Sequence, residues 1–79
     1  AAEQGHAVAQ YNLGLMYQQG RGVPQDYVYA HMWCNIAASQ GHEDAAKNRD
    51  LVAKKMTPAD ISAAQKLARE CVAKEYKGC

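Results

Sequence analysis

One stretch of this sequence is written twice. Residues 1–16, AAEQGHAVAQYNLGLM, lie over residues 37–52, AASQGHEDAAKNRDLV, at a shift of 36, and eight of the sixteen positions are identical. The shared residues are Ala1/Ala37, Ala2/Ala38, Gln4/Gln40, Gly5/Gly41, His6/His42, Ala9/Ala45, Asn12/Asn48 and Leu15/Leu51. A period of this length marks a solenoid, because one such unit cannot bury its apolar face alone and stacks on the next.

Punctuation divides the chain into helices. Ala7 to Gln19 reads as the first, with Ala9, Leu13, Met16 and Tyr17 at helical spacing. Gly20-Arg21-Gly22-Val23-Pro24 breaks it, since two glycines permit positive φ and Pro removes a backbone donor. Asp26 is a natural N-cap for a second helix, Tyr27 to Gln40, whose ladder is Ala30, Trp33, Ala37 and Ala38 and which Gly41 is placed to end. A third helix is expected from Glu43 to Met56. Thr57-Pro58 then supplies an N-cap and a proline at the first helical position. The fourth helix, Pro58 to about Glu75, carries Ile61, Ala64, Ala68, Cys71 and Val72 on one stripe. Nothing alternates with a period of two, so the expected fold is all-α: two antiparallel helix pairs and no strand.

Composition fits small modules. The chain has 79 residues, fifteen of them Ala and none Phe, so its core is made of small contacts between close helices. A chain this short buries only about 60% of its unfolded surface and needs a staple or a neighbour. The net charge of +1 gives no electrostatic reason to bind nucleic acid. No apolar run approaches the roughly 18 residues of a membrane span, so no membrane insertion is expected.

The residues Ala9, Leu13-Gly14, Met16-Tyr17, Gly20, Gly22-Val23, Asp26, Ala30, Trp33, Ala37-Ala38 and Gly41 together resemble the Sel-one-like repeat family, relatives of the tetratricopeptide repeats. The likeness implies an α-solenoid, a right-handed superhelix that serves as a protein-interaction scaffold without catalysis or cofactor. Bacterial relatives are often exported. Residues 6–41 are the complete repeat, and residues 1–5 look like the tail of a preceding helix. Residues 42–79 depart from the pattern, with Arg49 and Asp50 where Leu13 and Gly14 stand. They resemble the degenerate repeat or capping helices that close such arrays. Gly14 inside a helix costs about 1 kcal/mol against Ala, so a close neighbour must want its missing side chain. Trp33 or Tyr17 laid over the gap is the expected reason.

Chemistry-bearing residues are few. Cys71 and Cys79 would stand about 12 Å apart within one helix, too far for a disulfide. A turn at Gly78 would let them meet, so a bridge and two free thiols are both open. Cysteines separated by seven residues also resemble the bridges of cysteine-rich members of the family. A bridge would point to an oxidising compartment, periplasmic or outside the cell. Cys34 is expected as a small apolar side chain at a helix interface. His31 and Cys34 make at most half a metal site, so no metal is expected. His6 and His42 mark a structural turn position, and Glu43-Asp44 suit the start of a helix. Gly20-Arg21-Gly22 lacks the Lys-Ser/Thr of a phosphate loop. Lys47, Arg49, Lys54 and Lys55 read as a solvated basic face.

Val8, Tyr11, Leu15 and Gln18 fall on the side of the first helix away from Leu13 and Tyr17. They are the candidate contacts for a protein or peptide partner, for a neighbouring repeat, or for weak self-association. The competing readings are a structural cap for upstream repeats and, as suggested for cysteine-rich relatives, a β-lactam-binding or hydrolase-like activity. No Ser-x-x-Lys is present to support the last.

Overall fold

A computed structural model describes residues 6–79, so the expected helix tail at 1–5 lies outside the described residues. Among these the chain forms α1 (Ala7–Gln19), α2 (Tyr27–Ser39), α3 (Glu43–Ala53) and α4 (Pro58–Ala73), with no strand. The fold is all-α, as the periodicity predicts.

The ends of the helices follow from their caps. Gly20 closes α1 in the left-handed region (φ 67°), donating its N–H to Met16 O. Asp26 Oδ1 accepts from the N–H groups of Val28 and Tyr29 at 2.9 and 3.2 Å, satisfying two orphan donors at the start of α2. Thr57 and Asp60 form a reciprocal capping box, with Pro58 following. That cap draws the chain out of α3 earlier than expected. The helix ends at Ala53, and Lys55 and Met56 donate to Val52 and Ala53 in tight turns instead of extending it.

α2 is the hub. Seven of its residues are buried: Ala30, His31, Met32, Trp33, Cys34, Ile36 and Ala37. It packs against α1, α3 and α4, whereas α3 and α4 make no comparable contact with each other. The expected second helix pair is therefore absent as a packing unit. The sequence departs at this seam: Arg49 and Asp50 occupy the places of Leu13 and Gly14. Charged side chains stand where glycine allows a close approach, and α4 packs on α2 instead.

Two clusters sit on different sides of α2. On one, Met32, Trp33 and Ile36 meet Ala68 and Cys71, with Leu13, Tyr17, Tyr29, Leu67 and Tyr76 around them. On the other, Cys34, Ala37 and Ala45 are packed by Ala7, Tyr11 and Ala38. Trp33 thus belongs to the α4 side and does not cover Gly14. A Cβ at Gly14 would lie 2.7 Å from Cys34 Sγ, 3.2 Å from Ala30 O and 3.3 Å from Cys34 N. The close neighbour is the backbone of α2 with Cys34 on it. Met16, expected on the partner face, is instead 38% exposed, because Gln10 and Gly14 hold the centre of the α1–α2 contact.

After Ala73 the chain folds back on itself. Glu75 and Tyr76 both take left-handed conformations (φ 56° and 66°), and Tyr76 donates its N–H to Cys71 O at 2.8 Å. Residues other than glycine stay there only when their surroundings hold them. Tyr76 is held by its packing on the Trp33 cluster. The reversal precedes Gly78, where it was expected, and α4 accordingly stops short of Glu75. It brings Cys71 and Cys79 together, with Cα atoms 5.7 Å and Sγ atoms 1.98 Å apart, as a disulfide.

Candidate functional site

The four candidate contact residues of α1 do not share one fate. Tyr11 is half-buried against Cys34, Ala37 and Ala45, and its ring lies 4.6 Å from that of His42. Burial, then the Asp44 carboxylate and Cys34, push its phenol pKa up. Gln18 Oε1 accepts from Asn48 Nδ2 at 2.8 Å. Both residues therefore meet α3 of the same chain and are not free for a partner. Val8 is 62% exposed, and Leu15 lies in an open cleft with Asn12, Met16, Gln19 and Arg21. The outward face of α1 is Val8, Asn12, Leu15 and Met16. It is turned by about one residue in register from the stripe expected.

The seam between α3 and the first pair is polar at its centre. Asn48 Nδ2 also approaches Cys34 Sγ at 3.4 Å, and His42 caps α3 by accepting from Ala45 N–H at 3.1 Å. Ala45 is fully buried. Arg49 donates to Asn35 Oδ1 at 3.2 Å and pairs with Asp50 at 3.2 Å, so it is not part of a freely solvated basic face. His6, the repeat partner of His42, stands at the N-cap of α1 without a side-chain capping bond.

Two features escaped the reading of the sequence. Gln10 is fully buried and accepts a hydrogen bond from Gln40 Nε2, tying the start of α1 to the end of α2. Its place four residues before Gly14, on the same side of the helix, was the available signal. His31 is buried at 4% exposure, and its Nδ1 has no hydrogen-bond partner among the described residues. Burial first, and Arg49 second, hold its imidazole below the usual pKa, against the opposing pull of Asp50.

Cys34 is buried, and that burial pushes its thiol pKa up, against the hydrogen bond from Asn48 and the charge of Arg49. A raised thiol pKa makes a poor nucleophile. Among the described residues no group of three or more His, Cys, Asp or Glu is placed to hold a metal ion, and no helix is long and apolar enough to cross a membrane.

One more surface lies between α2 and α4. Asn35, Ile36, Ser39, Ala68, Arg69 and Val72 line an open cleft of about 380 Å³. Val72, expected on the buried stripe of α4, is 47% exposed there.

A helix pair drawn together at a glycine, carrying a third helix that repeats the first after 36 residues, defines an α-helical repeat protein. Residues 7–42, which span α1, α2 and the turn after them, match the Sel1 repeat. A search of curated proteins returned no match. Sel1 repeats generally act as protein-interaction scaffolds.

Proposed function

We propose that this chain is a non-enzymatic protein-binding module that closes the downstream end of a helical-repeat stack. It receives a preceding helix pair on the outward face of α1. One observation carries the reading. The residues that α3 uses against the first pair, His42, Ala45 and Asn48, are identical at the matching positions of α1, namely His6, Ala9 and Asn12. There His6 and Asn12 are exposed and Ala9 is half-buried. The same docking set is presented twice, and in the first copy His6 and Asn12 remain exposed.

The other edge argues for closure. Tyr11 and Gln18, which receive α3, correspond to Lys47 and Lys54, both exposed. A further pair stacking there would have to desolvate two ammonium groups, which is costly without partners. The module therefore extends a stack in one direction only.

The test duplicates residues 6–41 ahead of His6. Asn12 in the original copy should then meet the Gln18 and Cys34 of the added copy, as Asn48 meets them in the native chain. Asn12→Ala should destabilise the duplicated chain by about 1 kcal/mol more than the native one. Equal effects in urea unfolding of the two chains would refute this docking face.

A further inference from the structure

We propose that the cleft between α2 and α4 binds an acidic peptide segment, seating an apolar side chain on its floor and a neighbouring carboxylate on Arg69. The proposal rests on the reading of the module as a protein-binding scaffold and names the chemistry of one partner.

The floor is Ile36, Ala68 and Val72. The first two are almost fully buried, and Val72 is left 47% exposed, an apolar side chain awaiting cover. The border is rich in donors. Arg69 has neither a hydrogen bond nor an ion pair among the described residues, although the same structure pairs Arg49 with Asp50 and Asn35. Asn35 Oδ1 is already occupied as an acceptor by Arg49, which leaves the Asn35 amide N–H groups to donate. The hydroxyl proton of Ser39 is committed to Ile36 O at 2.6 Å. Among the described residues no carboxylate lines the cleft. A surface with an apolar floor, one unpaired guanidinium and spare amide donors is complementary to an apolar residue beside Asp or Glu. About 380 Å³ of open cleft accommodates one such side chain and its neighbour, not a whole helix. The site lies on the α2–α4 side and leaves the α1 face free, so a stacked repeat and a bound peptide do not compete.

Two probes test this on the full, oxidised chain labelled with ¹⁵N: N-acetyl-Leu-Glu-amide and N-acetyl-Leu-Gln-amide. The acidic peptide should shift the amide signals of Ile36, Ser39, Ala68 and Val72 saturably, and the neutral one should bind about fivefold more weakly, as one rim charge implies. Arg69→Gln should bring the two affinities together, and Val72→Ser should weaken both. Equal binding of both probes to the native chain would overturn the acidic assignment while leaving the scaffold reading standing. Absence of shifts at these residues with either probe would overturn the site itself. Neither result bears on the duplicated-chain experiment, which probes α1.

Discussion

Gly14 offers the sharpest test of how the first helix pair is held together. Gly14→Ala in a solvent-facing helix would stabilise by about 1 kcal/mol, because alanine loses less backbone freedom on folding. Here the new Cβ would lie 2.7 Å from Cys34 Sγ and 3.2–3.3 Å from backbone atoms of Ala30 and Cys34. The sulfur is buried with the rest of Cys34, and the backbone contacts oblige α2 itself to move by a few tenths of an ångström. Overpacking of this kind costs about 1–3 kcal/mol. The two effects together leave a net loss of about 0–2 kcal/mol in place of a gain. Cys34→Ala removes the nearest atom, so the double variant should be about 1 kcal/mol more stable than the sum of the single changes allows. Urea unfolding followed by far-ultraviolet circular dichroism, with the disulfide kept oxidised, measures all four chains. A stabilised Gly14→Ala, or strict additivity with Cys34→Ala, would show that the helices are not in limiting contact at this glycine.

Two further outcomes can be measured on the native chain. Thiol titration of protein from an oxidising compartment should find one reactive group in denaturant and none while folded, because Cys34 is buried and Cys71 is bridged to Cys79. Reduction should cost about 2.5 kcal/mol by the loop-entropy relation, and three thiols in the unreduced, denatured chain would contradict the staple. Acid should weaken the fold through His31. Its folded pKa lies below the ordinary value of 6.5, so on unfolding the chain takes up a proton that the native state resists. This contribution is complete above about pH 6.5 and is lost as the pH falls toward the folded pKa, with a limiting slope of about 1.4 kcal/mol per pH unit. His31→Leu should flatten the profile between pH 7 and 5, and an unaltered profile in that variant would dismiss His31 as its source.

The helices themselves were legible because each carries its own start or stop signal. Asp26, Thr57-Pro58 and Gly20 act within a few residues of where they stand, and α1 and the start of every helix fall where those signals place them. The differences lie at helix ends and where a distant contact decides. The Thr57–Asp60 cap is local and leaves α3 ending at Ala53, whereas the reversal at Glu75 and Tyr76, before Gly78, rests on the packing of Tyr76 against the Trp33 cluster. The outward face of α1 differs from the apolar stripe for a related reason. A stripe of apolar residues identifies a buried side only if the buried residues are apolar, and here the centre of the contact is Gln10 and Gly14. The amide of Gln10 is invisible to a hydrophobic pattern because its hydrogen-bond partner, Gln40, is thirty residues away.

The division of labour on α2 explains why the second half of the chain could be read only as a departure. A helix that is buried nearly all round must satisfy three neighbours at once. Small residues at Ala30, Cys34 and Ala37 let α1 and α3 approach on one side, while Met32, Trp33 and Ile36 fill the space to α4 on the other. Where the first pair has Leu13 and Gly14, α3 has Arg49 and Asp50. α4 packs instead on the large side chains of α2, which supply its apolar cover. That placement leaves Val72 and Arg69 along the open edge of the α2–α4 contact, and so creates the cleft. The departure from the repeat pattern and the surface proposed to bind a partner thus go together, because α4 packs on α2 and not on α3 and leaves one edge of that contact open.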